Sequence, residues 1–225
     1  MTMDRKKESI RLAIGYLGSM LGLLGVAAFN RYILMSLPLA ARMILMILLY
    51  WLIALVPILV MIHDRDSLTD YGFRKENLLL QIGIGIGLAA VTSLVFTLLP
   101  HLLGFGEYVD SGIRYHEAWK YLYEFVYCIA AVGCVEEYVF RGFLYEKFKR
   151  IWGTDSAAVI GSSVLFGLFH ILNGSVAQIV ITGCLGALFC LYRLKIKNCS
   201  TLSLAIMHGV YDALITVWAN LLLPA

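Results

Sequence analysis

"VEEYVFRGF", residues 135–143, sets Glu136, Glu137 and Arg141 side by side in a stretch whose other members are apolar. Whether it is read as a surface helix or as part of a membrane span decides the fold. The surroundings favour the span. Of 225 residues, 60% are hydrophobic and only 15% charged, and the mean hydropathy is +0.81. Such a chain falls outside the soluble-domain range and among polytopic membrane proteins. About 20 apolar residues cross the hydrocarbon core as a helix. Seven segments meet or approach that length: 10–30, 39–62, 78–99, 118–140, 157–173, 175–192 and 200–222. The expectation is an all-α membrane protein of about seven transmembrane helices, a single domain over residues 1–225, with a tight turn at Asn173-Gly174-Ser175. The first segment lacks a small-residue cleavage site and reads as a span, not a signal peptide.

The basic residues give the orientation. With the N-terminus in the cytosol, Arg5, Lys6, Lys7, Arg11, Arg65, Arg74, Lys75, Arg141, Lys147, Lys149, Arg150, Arg193, Lys195 and Lys197 lie inside. Only Arg31, Arg42, Arg114 and Lys120 lie outside. The net charge of +3 is therefore an inner-face collar, and no basic, aromatic-laced patch suggests nucleic acid. The five cysteines are odd in number and show no CxxC spacing, so they read as small, buried and reduced. Gly15, Gly18, Gly22, Gly25, Gly83, Gly87, Gly183 and Gly186 recur at spacings that let helices approach closely in lipid. The loop 64–77 mixes charge with Leu68, Tyr71 and Phe73 and is expected to lie partly along the interface. "HEAWK" (116–120) begins like a zinc-protease HExxH motif, but Lys120 stands where the second histidine belongs.

Inside the spans the ionisable residues are few: Glu136 and Glu137 with Arg141 at the cytosolic end of the fourth, His170 on the fifth, His208 and Asp212 on the seventh, and Glu124 further out on the fourth. Each charge at mid-bilayer costs at least about 2.5 kcal/mol, so the set must share a polar interior. Glu137–Arg141 and His208–Asp212 are each spaced to share a helix face; Phe166 lies one turn before His170. Glu136 points about 100° away from Glu137 and is left out of the arginine pair. Counted along their helices, His208 lies roughly 12 Å and His170 roughly 20 Å from the inner face. A desolvated glutamate can serve as general base on water. A neighbouring histidine can share the proton, and a second, steadied by Asp212, can donate to an oxyanion. Hydrolysis, a proton-coupled carrier and a structural network all remain open on the residues alone. Against a carrier stands the absence of paired repeats or broken spans; proline occurs only at 38, 57, 100 and 224.

Glu136-Glu137-x-x-x-Arg141, Phe166-x-x-x-His170 and His208-x-x-x-Asp212, in that order on three spans, resemble the motifs of the CPBP family. These are the CAAX-processing and bacteriocin-processing proteases, also called Abi. "YGFRKENLLL" (71–80) and "NCSTLSLAIMHGVYD" (198–212) are also similar, so the likeness spans about 68–215. The resemblance implies a glutamate-dependent intramembrane endopeptidase whose site opens to the cytosol. Glu136 would activate water with His170, His208 with Asp212 would form the oxyanion site, and Glu137 with Arg141 would hold the motif together. The family's last motif often ends in Asn. An ionised Asp cannot donate a hydrogen bond, so Asp212 is better suited to orient His208 as an acceptor. No cofactor is expected. Zinc is conceivable on Glu136, His170 and His208, but no compact ligand pair exists on one helix. The expected substrate is a membrane-associated, lipidated or precursor peptide, and the expected setting is a prokaryotic cell membrane. The alternative is a carrier or a non-catalytic bacteriocin-immunity protein.

Overall fold

The computed structural model describes residues 3–110 and 112–222, and these form helices joined by tight turns and by two longer connections, one after Asp64 and one after Leu102. Helix α1 is Met3–Tyr32, α2 Leu39–Asp64 and α3 Leu78–Leu102. Helix α4 runs over 118–152, α5 is Asp155–Phe169, α6 Val176–Lys195 and α7 Thr201–Leu222. Among the described residues six helices are long and apolar enough to cross a membrane, and α4 is not one of them. The fold is thus the polytopic all-helical bundle that the hydropathy predicts. Helix α7 is its axis. In its apolar window 56% of residues are buried, against 17–33% in the other five. Elsewhere the bundle turns leucines outward, among them Leu17, Leu21 and Leu79. Inside lie Ser19, Gln81, Thr92 and Thr97, an arrangement suited to lipid and unlike a soluble core.

The ends of the elements follow local chemistry. Gly153 (φ 76°) and Gly174 (φ 73°) close α4 and the turn after α5 in the left-handed region that glycine tolerates. Thr154 then caps α5 by accepting the Ala157 amide at 3.3 Å, and Ser175 caps α6 by accepting that of Gln178. Asn173-Gly174-Ser175 is therefore the expected turn. Helix α2 is interrupted at Trp51, close to where Pro57 crowds the carbonyl four residues before it.

Three expectations change. Arg141 does not end the fourth span; the helix continues to Trp152 and Arg141 is 1% exposed. Gly18 and Gly22 do bring α1 against Val56 and the backbone at Leu52, but a Cβ added at Gly25, Gly83 or Gly87 would meet nothing within 4 Å, so these three are not needed for a close helix contact. The loop after α2 is only partly a surface feature. Leu68 is exposed, whereas Tyr71 is fully buried against Tyr138 and Phe143. The loop also closes the N-terminal end of α7, where the Thr201 amide donates to the Gly72 carbonyl (3.0 Å) and its hydroxyl to that of Tyr71 (2.9 Å). Burial alone raises the Asp66 carboxyl, but the Tyr71 hydroxyl and Arg150, both at 2.7 Å, pull it back below the usual carboxylate range. Beside it Lys147, fully buried, reaches Glu8 (2.9 Å) and Asp64 (3.0 Å), while Arg11 pairs with Asp64. At the other end Arg114 holds the Asp110 carboxyl down at about 2.

Of the cysteines, Cys128, Cys190 and Cys199 are buried as expected, Cys134 is half-buried and Cys184 is exposed. Glu117 of the "HEAWK" stretch pairs with Lys120 at 2.7 Å.

Candidate active site

Helix α4 carries the glutamates in an unusual backbone. It is α-helical over Ala118–Tyr127, π-helical over Cys128–Gly133, α-helical over Cys134–Glu137, π-helical over Tyr138–Leu144 and α-helical to Trp152. Wide π turns are rare and concentrate at functional sites. They also shift carbonyls off the regular ladder, and here two are met by side chains. The Trp51 indole donates to the Ala130 carbonyl at 3.1 Å, and Arg193 donates to the Arg141 carbonyl. Glu136 and Glu137 sit on the short α turn between the two π stretches.

Helix α7 meets this segment backbone to backbone. A Cβ on Gly133 would lie 2.2 Å from the Ala205 carbonyl oxygen, and one on Gly209 would lie 2.5 Å from that of Cys128. Two glycines facing each other across the crossing therefore set the distance that brings His208 over the glutamates. Its Nδ1 lies 2.7 Å from Glu137 Oε1, and its Nε2 is 3.9 Å from Glu136 Oε2 and 3.5 Å from Asp212 Oδ2. Glu137 Oε1 also accepts from Arg141 at 2.9 Å, in the i,i+4 pair expected from spacing. Both partners are at most 1% exposed. The ring of His208 is thus fixed by Glu137, a contact that spacing did not suggest. Asp212, at 30% side-chain exposure, stands at the more open edge of the cluster.

Aromatic rings wall this cluster. Phe166 lies 4.0 Å under the Arg141 guanidinium and faces His170 and His208 edge-on at 4.9 and 6.0 Å. Phe189 of α6 covers Arg141 and His208 from another side, at 5.0 and 5.4 Å. Such rings supply cation–π contact while excluding water. His170 lies in the 3₁₀ turn that follows α5, with Nδ1 2.9 Å from the Phe166 carbonyl. A carbonyl only accepts, so Nδ1 carries the hydrogen and the neutral ring offers Nε2 as an acceptor. Among the described residues His170 makes no direct hydrogen bond to Glu136.

Glu136 is 3% exposed. It stays clear of Arg141 as its direction on the helix predicts, yet it is not unpartnered. The Tyr50 hydroxyl of α2 donates to its Oε1 at 2.5 Å. Its Oε2, equally buried, has no hydrogen-bond partner among the described residues. Tyr50, Phe189 and Arg193 were not singled out from the sequence, since nothing in their spacing ties them to the motifs. Glu124 belongs elsewhere, bonded to Tyr115 at 2.9 Å and Thr216 at 3.4 Å. No three His, Cys, Asp or Glu side chains among the described residues converge as metal ligands.

No curated protein and no solved structure matches the chain. Residues 118–214 match the family described as type II CAAX prenyl endopeptidase Rce1-like. That segment, a little under half of the chain, holds both glutamates, Arg141, Phe166, both histidines and Asp212, and over it the chain is similar to that family.

Proposed function

We propose that this protein is an intramembrane endopeptidase in which Glu136 is the general base. The observation that carries the reading is the asymmetry of one buried carboxylate: Oε1 is held by Tyr50, while Oε2, 3.9 Å from His208 Nε2, has no hydrogen-bond partner among the described residues. A buried acceptor without a partner is costly unless water or substrate supplies one. Water on Oε2 gives up a proton to Glu136 as its oxygen bonds to the peptide carbonyl carbon. His170, with Nε2 open as an acceptor, orients that water. Because His208 Nδ1 donates to Glu137, Nε2 donates to the developing oxyanion only as an imidazolium. Glu136, Glu137 and Asp212 around the ring supply the counter-charge such a cation needs. Collapse of the oxyanion breaks the C–N bond, and the proton held by Glu136 passes to the leaving amine. Asp212 acts as an acceptor toward His208, in keeping with an aspartate where the family often has Asn.

The substrate class that fits is a membrane-anchored peptide or precursor, lipidated or not, that reaches the cluster from within the bilayer. Purified protein in liposomes is to be incubated with a library of bilayer-anchored peptides, with and without a prenylated C-terminal cysteine, and the products identified by mass spectrometry. Cleavage by wild type and its loss in Glu136→Gln, with the variant still folded, is the expected result. Full activity in Glu136→Gln would overturn Glu136 as base. Activity is expected to persist through exhaustive chelation, since no step draws on a metal. Proton-driven flux with no cleavage of any peptide would favour the carrier reading instead.

A further inference from the structure

We infer that Tyr50 is a positioning residue for Glu136, so that the site is completed by helix α2, which lies outside the 118–214 family segment. Tyr50 is 86 residues from Glu136 in sequence and donates to its Oε1 at 2.5 Å. Two further contacts fix where it stands. The adjacent Trp51 reaches into the first π stretch of α4 through the Ala130 carbonyl, and the Tyr123 hydroxyl of α4 donates to the Met43 carbonyl of α2 at 2.9 Å. The Tyr50 ring also packs edge-on against Tyr127, with centroids 6.1 Å apart. Helix α2 is thereby stitched to α4 at two further points, both on the N-terminal side of Glu136, and the adjacent side chains of Tyr50 and Trp51 reach the same partner helix.

The chemistry says what such a bond does. A carboxylate side chain has two oxygens that exchange by rotation about its last bond. A single donor on Oε1 stops that rotation and leaves Oε2 as the oxygen that meets water. Donation also withdraws some electron density from the base, so Tyr50 trades basicity for position. The effective molarity of a well-placed group exceeds what a small change in base strength removes. Removing the hydroxyl should therefore slow the chemical step and leave substrate binding untouched. Since α2 carries this hydroxyl, the family-matched segment alone lacks one contact of its own base.

The kinetic arm of the test rests on the peptidase reading; the spectroscopic arm does not. Infrared difference spectra of the full-length protein in liposomes, compared with those of Glu136→Gln, assign the carboxyl bands of Glu136. Tyr50→Phe is expected to shift those bands, whereas Tyr127→Phe, which removes no bond to Glu136, leaves them in place. Bands unmoved by Tyr50→Phe would overturn the inference whether or not any peptide is cleaved. If Tyr50→Phe does not fold, 3,5-difluorotyrosine at position 50, a stronger donor of nearly the same shape, must shift the bands in the opposite sense; unmoved bands again overturn it. On a bilayer-anchored peptide that wild type cleaves, Tyr50→Phe is expected to lower kcat about 10- to 100-fold, the value of one hydrogen bond to a charged group. KM should stay within about twofold, as for an interaction felt only in the chemical step. A rise in KM at unchanged kcat, or a variant as fast as wild type, would overturn it.

Discussion

Arg141 is buried to 1% exposure, paired with one carboxylate and pressed against two phenylalanine rings. Removing one partner of such a pair leaves the other charge stranded, which is strongly destabilising, by about 3–5 kcal/mol. Arg141→Met should therefore lower unfolding stability in detergent by about that amount, while Glu137→Gln combined with Arg141→Met should recover part of the loss. Equal stability of Arg141→Met and wild type in denaturant titrations would show that Glu137 is sustained by His208 alone. At this scale the sequence was readable wherever one helix holds both members of a pair. Glu137–Arg141 follows directly from i,i+4 spacing, and so does the approach of His208 to Asp212. The bond from His208 to Glu137 spans 71 residues and two helices, and the bond from Tyr50 to Glu136 comes from a span with no motif at all. Helical periodicity says which face a residue takes, not which helix that face will meet.

At the scale of elements, the meeting of α4 and α7 depends on Gly133 and Gly209, where a side chain would run into the opposite backbone. Gly133→Leu is expected to push the helices apart, abolish peptide cleavage and lower thermal stability. Gly83→Leu, at a glycine where an added Cβ would meet nothing within 4 Å, should do neither. A Gly133→Leu protein as stable and as active as wild type would remove the crossing from any role in placing His208. The crossing was not visible in the sequence, because glycines recur on α1, α3 and α6 as well and composition does not say which of them touch. The π stretches were equally hidden. Counting at 3.6 residues per turn assumes the very regularity that they break, and their stability depends on Trp51 and Arg193, which arrive from other helices. The docking of Tyr71 was missed for a related reason. A loop mixing charge with Leu68, Tyr71 and Phe73 reads as interfacial until Asp66 finds Arg150 and Tyr71, and then the Tyr71 ring is drawn under.

Over the whole molecule, the hydropathy count foresaw the bundle, while the inner-face collar read from the charges stays an expectation. Part of that collar is an interior network in which Lys147 joins Glu8 of α1 and Asp64 of α2. The orientation it implies is a proposal open to labelling. In a cysteine-free background, Lys75→Cys should react with an impermeant maleimide from the cytosolic side and Glu107→Cys from the opposite side; the reverse pattern would invert the protein in the membrane. The partners of the two glutamates also bear on how the chain is made. Tyr50 precedes Glu136, and Arg141 follows Glu137 by one turn of the same helix, while His208 is translated long after both. A nascent chain leaving the ribosome thus holds a donor for each acidic side chain before its final helix has been synthesised. Helix α4 can enter the bilayer with its charges already provided for, and the arrival of α7 is left to convert a tolerated burden into a working centre.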